Sequence, residues 1–220
     1  MPDFRLPRTD EHVAILGRNG SGKTQFAAWM LSERAAGQVW IILNTKGDEL
    51  LDSIPHAMDY AISDRIPRSP GIYVARPIIG DKKDAELLDA FYRKIWERQN
   101  TGVFVDEGYV STGLRWFRAN LTQGRSRRIP MMILAQRPVW LDRFVWSEAS
   151  HYAAFDLNLE DDRDTANKMI PGYKHVKLPR FHSVWHDVKA DLTIGLTPAP
   201  DAETILQRFR DLAPVRRRAI

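Results

Sequence analysis

Short apolar runs rich in β-branched residues alternate along the chain with longer amphipathic stretches, the pattern of buried parallel strands joined by helices. The runs predict strands over residues 12–16, 39–43, 72–75, 103–105, 131–135 and 152–155. Between them, residues 23–34 and 84–98 read as helices. In the second, Leu87, Leu88, Phe91 and Ile95 form one stripe while Glu86, Asp89, Arg93 and Lys94 face away. After Pro179 the pattern switches to alternation, over residues 183–188 and 192–196, which predicts an antiparallel hairpin at a sheet edge. Pro198 and Pro200 lead into a last helix with Asp201 as N-cap and Ile205, Leu206, Phe209 and Leu212 as its buried stripe. The expectation is one α/β domain with a mostly parallel sheet over residues 1–197. A C-terminal helix and basic tail over 198–220 would pack on it or extend from it.

A length of 220 residues suits one well-cored domain. The hydrophobic share of 44% and charged share of 27% exclude disordered, collagenous and coiled-coil chains. The absence of cysteine removes disulfides, thiolate catalysis, cysteine zinc sites and iron–sulfur clusters together. Acid and proline at Met1–Arg5 stand where an export signal needs a basic and then an apolar run. No apolar stretch approaches the roughly 20 residues of a membrane helix, so a soluble chain that stays where it is made is expected.

The net charge of +4 says little by itself, but its distribution changes the picture. Residues 108–141 hold Arg115, Arg118, Arg125, Arg127, Arg128 and Arg137 and no acid, whereas residues 156–164 are densely acidic. The planar fork of arginine pairs bidentately with phosphate. Arg115, Arg118, Arg127 and Arg128 are therefore candidates to grip a nucleic-acid backbone, the competing reading being a solvated face with a few salt bridges. Trp116 and Phe117, set among them, read as core packing.

Gly17-Arg18-Asn19-Gly20-Ser21-Gly22-Lys23-Thr24 follows a predicted strand, opens a predicted helix and matches G-x-x-x-x-G-K-[ST] in full. Glycines 17, 20 and 22 let the backbone turn its N–H groups toward phosphate oxygens, and the new helix adds its positive end. Lys23 would reach the β- and γ-phosphates of ATP and Thr24 would place its hydroxyl on Mg²⁺. Gln25 stands where a dinucleotide fingerprint needs its third glycine, so that alternative fails; Gln25 counts instead among the ATP-binding residues. The strand ending Val103-Phe104-Val105 delivers Asp106 and Glu107 together. Asp106 is the candidate metal ligand and Glu107 the candidate base that polarises the attacking water. Adjacent acids can divide these roles only if the chain turns there, and Gly108 is expected to allow it. Gln136 ends the strand over 131–135 and would meet the γ-phosphate if that strand lies between the other two; a turn amide is the plainer alternative. Arg125, following Gly124, is the favoured arginine finger acting on a neighbouring subunit, with Arg127 and Arg128 as alternatives. The other possibility is that all three bind nucleic-acid phosphates.

With these residues in place the chain resembles the FtsK/HerA superfamily of ring-forming DNA-pumping ATPases. The likeness rests on residues 17–24, on Asn44-Thr45-Lys46-Gly47-Asp48, on residues 103–107, on Gly124-Arg125 and on Leu134-Ala135-Gln136-Arg137-Pro138. Asn44 departs from the pattern, since many members carry an acid there, and the Lys46 loop reads equally well as a plain turn. Among these ATPases the short chain is similar to the genome-packaging motors of tailless, often membrane-containing viruses and phages. The resemblance implies a RecA-like three-layer P-loop NTPase sandwich, ATP and Mg²⁺ as cofactors, and a ring, a hexamer before a pentamer, around double-stranded DNA. It also implies a capsid or portal-vertex partner, a place in the host cytoplasm or at the virion packaging vertex, and no membrane insertion. Two competing classes share the phosphate loop: a nucleotide-controlled assembly scaffold or switch, and a small-molecule or nucleotide kinase.

Overall fold

The computed structural model describes residues 4–212; the predicted tail Arg216–Arg218 lies outside the described residues. Its strands are β1 (Val13–Leu16), β2 (Val39–Leu43), β3 (Met58–Asp59), β4 (Gly71–Ala75), β5 (Thr101–Val105), β6 (Met131–Ala135), β7 (His151–Ala154), β8 (Ser183–Asp187) and β9 (Leu192–Leu196). Its helices are α1 (Lys23–Arg34), α2 (Glu49–Asp52), α3 (Lys82–Arg98), α4 (Arg115–Gln123), α5 (Arg143–Glu148), α6 (Glu160–Met169) and α7 (Ala202–Asp211). One sheet runs in the order β3-β4-β2-β5-β6-β1-β7-β8-β9. All pairs from β3 to β7 are parallel, and β7-β8 and β8-β9 are antiparallel. The predicted parallel sheet with its edge hairpin is the sheet observed.

Both faces of the sheet are buried, and strand alternation sorts the side chains between them. Ala14 and Leu16 face a layer with Leu88, Phe91 and Ile95 of α3 and Phe117 and Leu121 of α4. Val13 and Ile15 face the other, with Phe26 and Met30 of α1 and Ile205 and Phe209 of α7. The result is the expected three-layer sandwich. Helix α4 is where pattern reading fell short: what reads as a basic and aromatic stretch is a helix whose apolar stripe is only Phe117 and Leu121. Trp116 stays half-buried, its ring 5.4 Å from that of Trp96. Strand β5 begins two residues earlier than its apolar run because Gly102 lies flat against Trp40; a Cβ there would stand 2.4 Å from the indole.

The N-terminal edge of the strands is closed by buried polar groups. Glu11 accepts from the backbone N–H of Arg8 at 2.8 Å and meets His151 Nε2 at 3.1 Å. Against the burial that would raise it, these contacts and Arg5 hold the Glu11 carboxyl at about 2. His12 is wholly buried, receives the Met131 N–H at Nδ1 and donates from Nε2 to the Leu121 carbonyl. Burial, with Arg125 and Arg34 nearby, pushes its pKa down to about 4.

A lowered histidine pKa means that the unfolded chain binds the proton first, so stability is complete above about 6.5 and is lost as the pH falls toward 4. His12 alone accounts for about 3 kcal/mol over that window, and the buried His151, also pushed down by burial, acts in the same direction. Asp106, which burial holds above the usual carboxylate range, acts in the opposite sense over the same window, so the test is a difference between wild type and His12→Gln. The higher urea midpoint of wild type at pH 7 should shrink by pH 4.5, and a difference independent of pH would contradict the buried neutral His12.

Candidate active site

Parallel strands deliver their C-terminal ends to one edge, and the order β5-β6-β1 brings three sequence motifs together there. Leu16 pairs with Ala135, and Val105 pairs with Ile133. Counting two residues beyond Val105 brings Glu107 level with Ala135 and so with Leu16, where Gly17 begins its loop. Strand β6 does lie between β1 and β5, the condition that Gln136 required.

The loop of residues 17–24 is pinned on both sides. Gly17 N–H donates to the Ala135 carbonyl at 3.1 Å, Arg18 N–H to the Asp156 carbonyl at 3.1 Å, and Arg18 Nε to Asp156 Oδ2 at 2.9 Å. Gly22 caps α1 at φ 93°, a left-handed conformation that favours glycine. A Cβ at Gly17 would stand 2.5 Å from Ser21 Oγ and 2.8 Å from Phe155 Cβ, so the tight loop admits none. Aspartates cap α2, α3, α5 and α7. Helix α1 has neither a side-chain cap nor an acid in its first turn, so its first N–H groups and positive end await an anion from elsewhere. Ser21 Oγ is buried without a hydrogen-bond partner. Lys23 is only 5% exposed, and burial followed by the charge of Lys46 lowers its pKa.

Glu107, only 3% exposed, is held by side chains from two other strand ends. Its Oε1 accepts from Gln136 Nε2 at 3.0 Å and from Lys46 Nζ. Asp106, one residue back, donates its backbone N–H to Leu43 while its Oδ2 is buried without a partner. Burial, and then the neighbouring Glu107, raise its pKa to about 6. A buried carboxylate oxygen with no donor, beside Lys23 and the first turn of α1 where Thr24 sits, is what a divalent cation would satisfy; the residues present fit Mg²⁺. Gly108 works differently from the expectation. Its φ is not positive; glycine is needed because a Cβ would stand 2.5 Å from Ile133 Cγ2 and 2.6 Å from Leu141 Cδ2.

Lys46, whose loop reads in sequence equally well as a family motif and as a plain turn, stands in the site on Glu107. Asn44 explains its position. The Asn44 amide donates to Asp52 Oδ1 at 2.9 Å and to the Asp48 carbonyl at 3.1 Å, and its Oδ1 accepts the Asp48 N–H at 2.8 Å. An acid at position 44 would face the Asp52 carboxylate, which gives the departure from the family pattern a local reason.

The arginines do not form one patch. Arg125, Arg127 and Arg128 precede β6, at the N-terminal edge and so opposite the phosphate loop. Arg125 and Arg128 are exposed. Arg127 stacks 3.6 Å over Trp96, and Arg118 pairs with buried Asp142 at 2.7 Å. Arg115 is exposed on α4 above Trp116. Arg137, beside Gln136, pairs with buried Asp162 at 2.6 Å. Gly124 next to Arg125 is a packing requirement, since a Cβ there would stand 2.0 Å from the Asn120 carbonyl oxygen.

No family model matches the chain. The chain is 40% identical, over an alignment of 229 positions, to the DNA packaging ATPase P9 of Enterobacteria phage PRD1, covering 99% of each. In structure it is similar to the genome packaging NTPase B204 of Sulfolobus turreted icosahedral virus 2 in complex with sulfate. That match has a TM-score of 0.70 and 19% identity, and covers 89% of this chain and 100% of the other. The same NTPase in complex with AMPPCP gives 0.67 and 18%, over 87% and 100%. At these identities the structural likeness shows the fold. The identity to P9 over the whole length shows the family: the chain belongs to the viral DNA-packaging ATPases.

Replacing Asn44 by Asp should lower stability by about 2 kcal/mol, through two lost amide hydrogen bonds, one of which becomes a pair of facing carboxylates. Adding Asp52→Asn should recover at least half by reversing donor and acceptor. Denaturant midpoints of the two single variants and the double variant measure this, and simple additivity would contradict the contact.

Proposed function

We propose that this packaging ATPase hydrolyses ATP at the C-terminal edge of its sheet and uses the cycle to drive double-stranded DNA through a ring of its own copies, a hexamer. The observation that carries the reading is the Glu107 carboxylate, held by Lys46 and Gln136 beside buried Lys23 at the mouth of the phosphate loop. In this reading residues 17–24, with Gln25, bind the triphosphate through backbone N–H groups, and Lys23 neutralises the β- and γ-oxygens. Thr24 and Asp106 would hold Mg²⁺, which supplies charge neutralisation across those oxygens when bound. Glu107 takes a proton from a water whose oxygen forms the new bond to the γ-phosphorus. The bond to the bridging oxygen breaks, leaving ADP and inorganic phosphate. Gln136, bonded to Glu107 and at the γ end, senses whether the phosphate is present.

The trans role of an arginine is supported by position: Arg125 is exposed on the edge opposite its own phosphate loop, so a nucleotide it reaches belongs to a neighbour. Arg127 and Arg128 are the alternatives, of which Arg127 is already stacked on Trp96. For DNA, the exposed Arg115 and Arg128 suit backbone phosphates better than Arg118, which is paired with Asp142. A motor of this kind works at the virion packaging vertex, assembling from the host cytoplasm against a capsid or portal protein. Among the described residues no helix is long and apolar enough to cross a membrane.

Lys23→Ala should abolish nucleotide binding. Glu107→Gln should bind a fluorescent ATP analogue within threefold of wild type yet lose about 10²–10³-fold in turnover. Wild-type hydrolysis by Glu107→Gln would overturn the assignment. Arg125→Ala and Lys23→Ala proteins, each inactive alone, should recover ATPase activity when co-assembled, because one supplies the arginine and the other the site. Failure of co-assembled rings to recover would remove Arg125 from that role.

A further inference from the structure

Resting on the ATPase reading above, we propose that Phe181 is the platform on which the nucleobase of ATP stacks, in the cleft between it and the segment preceding α7. The direction of the nucleotide follows from the sheet. The γ end is fixed by Glu107 and Gln136, which lie on the β5-β6 side of the loop. A nucleotide threaded through the loop at the end of β1 must therefore extend the other way along the edge, toward β7 and β8. Phe181 stands there, two residues before β8, with its ring against the loop: a Cβ on Gly22 would lie 3.3 Å from its Cδ1.

Three features separate Phe181 from an ordinary packing residue. It adopts φ 63°, a region that aromatic residues rarely enter and that clusters at ligand sites. Its conformation is fixed by the turn in which His182 N–H donates to the Pro179 carbonyl and by Arg180, stacked 4.6 Å from its ring centroid. With all this support Phe181 as a residue is nonetheless 40% exposed, where burial in the core would have been the ordinary use of so large an apolar side chain. It lines a cleft of about 180 Å³ together with Gly22, Gln25, Pro198, Ala199 and Asp201, smaller than a site for a whole small molecule and in keeping with one that takes only the base. The far wall is tied to α1 by Gln25 Nε2, which donates to the Pro200 carbonyl at 2.6 Å, so it is joined directly to the helix that the phosphate loop opens. With Gln25 Nε2 given to Pro200 and Asp201 Oδ1 to the Thr204 N–H, the Gln25 amide oxygen and the second Asp201 oxygen are the acceptors left on the rim for the exocyclic amino group of a base.

The test separates base from phosphate. Titration calorimetry of ATP and of inorganic tripolyphosphate, which carries no base, is run on wild type, Phe181→Ala and Phe181→Tyr. Stacking on an aromatic ring predicts that Phe181→Ala weakens ATP by roughly 5- to 150-fold while tripolyphosphate changes less than twofold, and that Phe181→Tyr stays within threefold for both. Equal weakening of both ligands, or an unchanged ATP-to-tripolyphosphate ratio, overturns the platform while leaving the phosphate loop intact. Failure of wild type to bind either ligand overturns both assignments. Should Phe181→Ala not fold, photolabelling of the wild-type protein with 8-azido-ATP decides. Label on tryptic peptides 24–34, 181–189 or 190–208 supports the cleft, and label confined elsewhere overturns it.

Discussion

The carboxylate of Glu107 ties together the ends of three strands. It stands at the end of β5, and its Oε1 accepts from Lys46 beyond β2 and from Gln136 at the end of β6. A carboxylate so deeply buried must be paired and hydrogen-bonded, and only neighbours in the sheet can supply donors at that depth. The order β2-β5-β6-β1 meets the demand: the two donors flank Glu107, and β1 beyond them brings the phosphate loop alongside. Parallel pairing makes the arrangement possible, because each of these strands ends on the same edge.

The same constraint divides labour between the two edges. At the C-terminal edge an uncapped α1, a buried lysine and an unpartnered Asp106 oxygen lie beside a carboxylate held in place. At the N-terminal edge the polar groups are structural: Glu11, His12 and His151 bind one another's strands and loops. The exposed Arg125 and Arg128 lie at this second edge. In the proposed ring, subunits that set one edge against the other would bring an arginine to each nucleotide, so the separation within one chain is what the trans reading needs.

Much of this was legible in the sequence, because phosphate-loop spacing and strand alternation are local signals. Residues 17–24, the Asp106-Glu107 pair and the edge hairpin needed only short-range pattern, and the place of Gln136 needed one guess about strand order. The rest depends on partners distant in sequence. Lys46 looks like a turn residue until Glu107, 61 positions on, is beside it. Arg118 and Arg127 look free until Asp142 and Trp96 are seen beneath them. Gly108 signals a turn in sequence, whereas close approach to Ile133 is what requires it. Phe181 carried no pattern, since a single exposed aromatic at positive φ has no periodicity to reveal it.

In the proposed mechanism a neighbouring subunit completes hydrolysis at this edge, and hydrolysis serves movement of DNA. Steady-state ATP hydrolysis, followed over a series of protein concentrations with and without long linear double-stranded DNA, tests that claim most directly. The predicted result is a rate per subunit that climbs steeply as subunits associate and rises further with DNA. A rate per subunit that is constant across the series and indifferent to DNA would contradict it.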